Sequence, residues 1–306
     1  MDLLIKKIIK KQNPTVVGLD PQWEYIPDEI KNKHLLGEQD AITEICNAVL
    51  EFNKRIISAV SPIVPAVKPN CAFYEQFGWQ GMKLLYETIE FAASKDLYVI
   101  ADGKRNDIGS TMKSYAQAYI GKTVINEVVF SAFPADALTV NAYLGSDGIL
   151  PATYLCEMYD KDIFVLAKTS NPSSNELQDK DLRLGHLPVY EKVALMCKTW
   201  GEKLIGLYGY SSVGIVVGAT HREQLKQLRH LLPSTFFLVP GYGAQGGGVE
   251  DIRFAFGSSG LGAIINSSRG IMCAYTKHPD LSFDEACYEE AKKMKNDIIH
   301  VIGAIG

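Results

Sequence analysis

No stretch of the 306 residues approaches the roughly 18 uninterrupted apolar side chains of a membrane-spanning helix, so none is expected. Cysteine is sparse and scattered, at Cys46, Cys71, Cys156, Cys197, Cys273 and Cys287, with no Cys-x-x-Cys pair and no histidine near enough to suggest a zinc knuckle. That excludes a disulfide-stapled scaffold and points to reduced thiols in the cytoplasm. The six histidines are dispersed as well, and no metal site is expected from them. An excess of one charge is also missing, because 31 Lys and Arg against 35 Asp and Glu leave a net charge of −4. Such a surface lacks the general pull on a nucleic-acid polymer or an anionic membrane, whereas a small anionic ligand needs only local positive charge. Linker-like and low-complexity stretches are absent, and 47% hydrophobic with 22% charged residues is an ordinary globular composition.

What is present is a regular alternation. Short apolar, β-branched runs occur at 15–20, 63–68, 97–102, 137–141, 162–170, 213–220, 235–241 and 262–267. Continuous apolar runs of this length suit parallel strands buried on both faces. Between them lie segments of helical spacing at 40–61, 79–95, 188–204, 222–232 and 282–301; the first puts Ile42, Ile45, Val49, Phe52 and Ile56 on one stripe. Asp40, Asp181 and Asp284 stand near expected helix starts, where a carboxylate suits the N-terminal dipole. Eight strand–helix units in one uninterrupted chain predict a single (β/α)8 barrel spanning residues 1–306. A doubly wound sheet would want a glycine fingerprint after its first strand, and GLDPQW is not one. The opening MDLLIKKIIKKQN resembles an amphipathic targeting helix, but it is short, carries Asp2 and runs straight into an apolar strand. Residues 1–13 are therefore expected to form a helix packed on the barrel's end.

Barrel active sites lie at the C-terminal ends of the strands. The expected strand ends carry Asp20; Lys68-Pro69-Asn70; Asp102-Gly103-Lys104-Arg105-Asn106-Asp107; Asn141; Lys168-Thr169-Ser170-Asn171; Gly241-Tyr242-Gly243-Ala244-Gln245; and Asn266-Ser267-Ser268-Arg269-Gly270. The sixth strand, ending at Thr220-His221, offers less. Asp102 and Lys104 are two apart, so on a strand both face the barrel mouth, whereas Asp107 lies beyond the strand end. Taken alone, Asp-x-Lys-x-x-Asp is a weak pattern that a solvated loop would also show. Directly after an apolar third strand, with Asp20 and Lys68 on the two before it, it reads as a site. The loops after strands seven and eight carry Gln245 and Arg269 among Gly246, Gly247 and Gly270, the place where barrels commonly hold phosphate. This glycine loop lacks the Gly-Lys-Ser/Thr ending of a nucleoside-triphosphate P-loop.

VGLDP (17–21), AVKPN (66–70), DGKRNDIGST (102–111), AKTSNP (167–172), VPGYGAQGGG (239–248) and NSSRGI (266–271) together resemble the orotidine 5′-phosphate decarboxylase family, in its longer bacterial-type subgroup. The resemblance covers nearly the whole chain. It implies loss of CO2 from orotidine 5′-phosphate to give UMP in pyrimidine biosynthesis, with no cofactor. By the same resemblance Lys104 acts at the carbon that loses CO2, with Asp102 and Asp107 completing its charge network. Asp20 and Lys68 contact the ribose, Ser170 reads the pyrimidine edge, Gln245 and Arg269 hold phosphate, and the glycine loop closes over the substrate. Asp107 and Thr111 match positions that reach into a neighbouring subunit's site, which implies a homodimer with shared active sites.

Two rivals remain. One is a metal-dependent sugar-phosphate decarboxylase or synthase of the same barrel superfamily, whose acidic metal ligand after strand two is here replaced by Lys68, a poor start for an Mg²⁺ site. The other is a non-catalytic nucleotide-binding barrel, which would not need Asp102, Lys104 and Asp107 together. Phe73, Tyr74 and Phe77 are expected to pack rather than stack on a base. Lys292, Lys293 and Lys295 are expected on the wet face of the last helix.

Overall fold

The computed structural model describes residues 1–182, 187–243 and 246–306. Eight parallel strands close into a barrel: β1 (Thr15–Leu19), β2 (Ala66–Pro69), β3 (Tyr98–Arg105), β4 (Ala137–Val140), β5 (Asp162–Lys168), β6 (Val213–Val217), β7 (Phe237–Val239) and β8 (Ala263–Ser267). Each strand pairs with the next in sequence and β8 returns to β1, where Thr15 lies opposite Ile265. Right-handed β-α-β crossovers leave neighbouring strands parallel, and closure removes the exposed edges that an open sheet would have to protect.

Period two explains why these runs are apolar throughout. Val17, Val67, Val99, Leu138, Val165 and Ile215 pack outward against helix residues such as Phe52, Ile56 and Leu85. Their neighbours Val16, Ala66, Tyr98, Ile100, Phe164 and Val216 form a second cluster inside the cylinder. The helix Asp2–Lys11 adds Leu4, Ile5 and Ile8, all fully buried, to that inner cluster. Full burial of one such side chain contributes about 1.5–3 kcal/mol as an upper estimate. These side chains close one end of the cylinder around a buried ion pair between the Met1 ammonium and Asp162, while Lys68, Asp102 and Thr139 gather at the other end.

Helices cover the outside at Ala41–Val60, Gly78–Ser94, Val189–Gly201, Arg222–Leu231 and Phe283–Ile302. The Asp40 carboxylate caps the first of these, accepting from the Thr43 N–H at 3.0 Å. At the last helix Ser282 is the cap, in a capping box with Glu285, and Asp284 sits inside the first turn. Asp181 departs from expectation. It belongs to a two-residue strand, Asp181–Leu182, paired with Leu187–Pro188, and the next helix starts only at Val189. Ile42 also departs, being exposed at the first turn of its helix although the rest of the stripe turns inward.

The crossovers after β3 and β4 carry helices Gly109–Ile120 and Leu150–Tyr159, with a hairpin at Thr123–Ile125 and Val128–Phe130 between them. Asn126 and Glu127 turn that hairpin with φ of 48° and 67°, the left-handed pair a two-residue turn demands. Its apolar side chains, and Leu150, Tyr154 and Met158 on one stripe of the following helix, are exposed. After β7 the helix shrinks to Val249–Ile252 and a 3-10 turn. Among the described residues, no helix is long and apolar enough to cross a membrane.

Candidate active site

A cavity of about 680 Å³ opens at the C-terminal ends of the strands, and every strand or the residues just beyond it contributes to its wall. Its charged floor is built on three adjacent strands. Lys68, at 4% exposure, rises from β2 and donates to Asp102 Oδ2 at 2.5 Å. Lys104 donates to the other oxygen, Oδ1, at 2.7 Å. The Thr139 hydroxyl on β4 donates to the same Oδ1 at 2.8 Å and accepts the Lys104 N–H at 2.9 Å. A carboxylate buried to 8% exposure is thus satisfied by two ammonium groups and a hydroxyl. Burial alone would raise the Asp102 pKa, but Lys68 and Lys104 outweigh it and hold the carboxyl well below the usual range. Burial likewise pulls Lys68 down, and Asp102 with Asp20 pushes it back above the ordinary lysine value. The Lys68–Asp102 pair is therefore ionised.

Lys104 reaches this position by a route that strand periodicity does not contain. Regular pairing of β3 with β4 breaks between Ala101 and Arg105, and Lys104 adopts the left-handed conformation at φ 49°. For a side chain other than glycine that conformation costs about 1–3 kcal/mol and needs support from its surroundings. Support comes from both sides. The Lys104 N–H is held by Thr139, and the preceding Gly103 carbonyl accepts from Arg105 Nη1 at 2.8 Å. Arg105 itself turns away from the mouth, pairing with Glu75 and donating to the Tyr119 hydroxyl at 3.2 Å. The Lys104 side chain remains 47% exposed, so its ammonium touches the anion on one side and faces the cavity on the other.

Asp20, Lys68, Asp102, Lys104, Ser170 and Arg269 all line the cavity. Gly18 lets Asn266 and Ser268 close in beside Asp20, since a Cβ there would fall 1.9 Å from Ser268 Oγ. Two buried oxygens on this wall, Asp20 Oδ1 and Asn266 Oδ1, have no hydrogen-bond partner among the described residues. Unpaired buried acceptors are costly, and a ligand's hydroxyl groups would satisfy them. Lys168 leaves the mouth: fully buried, its ammonium bonds Ser174 Oγ at 2.9 Å and Asp179 Oδ1 at 2.8 Å. Asn141 ends β4 as a turn cap, its side chain accepting from the Tyr143 N–H at 2.9 Å. Asp107 and Thr111 do not line the cavity of their own chain. Asp107 accepts from the Ile108 N–H at 2.7 Å, and Thr111 is exposed in the first turn of helix Gly109–Ile120. Gln245 lies outside the described residues. Thr139, Gln178 and Tyr25 line the cavity although the sequence pattern did not single them out; Thr139 is an inward position of β4, two residues before Asn141, and alternation alone could have marked it. Among the described residues, no three His, Cys, Asp or Glu side chains are grouped so as to hold a metal ion.

The fold and this mouth define a (β/α)8-barrel protein with a pocket lined by alternating lysine and aspartate and an arginine at its rim. Residues 14–280 match the family described as Orotidine 5'-phosphate decarboxylase / HUMPS family. The orotidine 5′-phosphate decarboxylase of Caldicellulosiruptor saccharolyticus is 42% identical over 297 residues, covering 97% of each chain. That of Rhodopirellula baltica is 41% identical over 285 residues, covering 93% of this chain and 92% of its own. The solved structure of Leishmania donovani OMP decarboxylase is 31% identical with a TM-score of 0.73, covering 99% of this chain and 98% of that one. The chain belongs to the orotidine 5′-phosphate decarboxylase family.

Proposed function

We propose that this protein decarboxylates orotidine 5′-phosphate to UMP in pyrimidine biosynthesis, through direct stabilisation of a C6 carbanion by Lys104. The observation that carries the proposal is the Lys68–Asp102–Lys104 array at the cavity floor, with one ammonium buried and the other open to a ligand. The C6–carboxylate bond breaks, CO2 departs, and the electron pair stays at an sp² ring carbon with no cofactor to accept it. The Lys104 ammonium meets that charge and donates its proton to C6, giving UMP; the neutral amine regains a proton from solvent. Asp102 fixes the ammonium in place. Because the donors are already oriented and Asp102 is already ionised, little reorganisation is required as charge develops. Enzymes lower barriers by about 8–23 kcal/mol, and a carbanion this poorly stabilised in water calls on the upper part of that range.

Asp20 and Lys68 bind the ribose, Ser170 the pyrimidine edge, and Arg269 with Gln245 the phosphate. Arg269 opens a short helix at the cavity rim and presents a forked donor pair. Asp107 and Thr111 serve the site of a second subunit. Supporting that assembly, the same side of the barrel exposes Ile108 and Tyr115, the apolar side chains of the hairpin Thr123–Ile125 and Val128–Phe130, and the stripe of Leu150, Tyr154 and Met158, an apolar area of the kind monomers avoid. All six cysteines are free thiols, in keeping with a cytoplasmic enzyme.

The test is turnover of orotidine 5′-phosphate by purified protein, followed by ultraviolet absorbance with and without chelator. Equal rates in both are expected. No turnover refutes the proposal, and activity lost in chelator but restored by Mg²⁺ favours the metal-dependent barrel enzymes instead.

A further inference from the structure

We propose that Gln178 is a positioning residue that sets the base-reading edge of the pocket, and so makes recognition of the pyrimidine depend on a residue well outside the charged floor. The inference rests on the decarboxylase function proposed above and deepens it. β5 ends at Lys168, and the segment that follows loops out and returns to the same place, because the buried Lys168 ammonium clasps Asp179 and Ser174. That clasp sets Gln178 beside Thr169. Its Oε1 accepts the Thr169 N–H at 2.9 Å, and its Nε2 donates to the Thr169 hydroxyl at 2.8 Å.

Thr169 is pinned on its remaining sides too. Its hydroxyl donates to Asn171 Oδ1 at 2.6 Å, and its carbonyl bonds His221 Nε2 at 2.8 Å. With both backbone groups and the side chain of Thr169 engaged, the next residue has a fixed starting direction. Ser170 then passes against Gly218, where a Cβ would fall 2.7 Å from Ser170 Cα, and faces the cavity. No hydrogen bond to the Ser170 hydroxyl or N–H occurs among the described residues. The pattern is a saturated residue placed directly before one whose polar groups are kept for a ligand. A loop end that had to order itself around each base would lose affinity to the entropy of ordering, and Gln178 removes that loss in advance. The main chain of Gln178 is anchored in turn, its carbonyl accepting from the Tyr190 N–H at 3.0 Å.

The experiment compares two ligands on one variant. Gln178→Met keeps length and shape but can bond neither the Thr169 N–H nor its hydroxyl. Affinity for UMP should fall about tenfold, while affinity for ribose 5-phosphate, which has no base, should stay within about twofold of wild type. Equal loss of both ligands, or no loss of UMP affinity, overturns the proposal. If Gln178→Met does not fold, Thr169→Val removes the hydroxyl half of the lock and carries the same expectation at about threefold; an unchanged UMP affinity there overturns it equally. Wild-type protein that bound no UMP would overturn the decarboxylase function itself, and this inference with it.

Discussion

Replacing Thr139 by valine changes almost no volume and removes one oxygen that has two tasks. That oxygen donates to Asp102 Oδ1 at 2.8 Å and receives the N–H of Lys104 at 2.9 Å. A hydrogen bond to a charged group contributes about 1.5–3 kcal/mol, and a neutral one about 0.5–1.5. Asp102 keeps its two lysine partners in the variant, so the fold should survive, with stability lowered by about 2 kcal/mol. Catalysis should suffer more selectively. Lys104 sits in a left-handed conformation that its neighbours must sustain, and without Thr139 its ammonium loses a fixed relation to Asp102. If about 2–4 kcal/mol of this support is expressed in the transition state, kcat/KM falls about 30- to 1,000-fold. The assay is steady-state decarboxylation of orotidine 5′-phosphate, with UMP affinity and urea unfolding measured on the same preparation. UMP affinity should change by less than about fivefold, since the contacts proposed for ribose, base and phosphate lie on other residues. A folded Thr139→Val protein within about threefold of wild-type kcat/KM would refute the claim that β4 positions the lysine.

Arg269→Ala should lose at least about a hundredfold in kcat/KM on the nucleotide, at roughly 3 kcal/mol for a forked phosphate contact, and little on a substrate lacking the phosphate; equal losses on both would remove its phosphate role. Mixing inactive Lys104→Ala and Asp107→Ala proteins should restore part of the activity once subunits exchange, because one site of a mixed dimer then draws both residues from intact chains. No recovery after exchange has been demonstrated would count against shared sites. Acid sensitivity follows from Asp102, whose folded-state pKa is depressed below the ordinary 3.8 by Lys68 and Lys104 despite burial. The stability this confers is complete above the unfolded pKa and is lost as pH falls below 3.8 toward the folded value. Urea unfolding from about pH 4 down to about pH 2 should show a shallower acid decline in Asp102→Asn than in wild type.

The barrel was legible because the strands are buried on both faces and therefore read as unbroken apolar runs, each ending in polar residues that the closed cylinder brings together. The same rule located Asp20, Lys68, Asp102 and Arg269 around one cavity. It gave the correct neighbourhood for Lys104 but the wrong reason, because that side chain arrives through a broken register and a positive φ rather than through alternation. Lys168 shows the opposite outcome: at the end of β5 it looked equivalent to Lys68, yet it is consumed by Asp179, an acid whose pairing depends on how a loop folds back. Gln178 was invisible for that reason also, since no periodicity links it to Thr169. Helix Gly109–Ile120 buries Met112, Ala116, Tyr119 and Ile120, a helical spacing that was present in the sequence but masked by the polar residues between them. The exposed hairpin after it carries strand-like residues with no core to face, so burial-based alternation did not mark it.

In the proposed reaction one ammonium group, held by Asp102 and open to the pocket, meets the electron pair left by CO2. The most direct test of that step is Lys104→Ala, with turnover of orotidine 5′-phosphate and affinity for UMP measured side by side. Turnover should all but vanish while UMP still binds, because the contacts proposed for ribose, base and phosphate lie on other residues. A variant that binds UMP and keeps even a tenth of the wild-type rate would contradict the account.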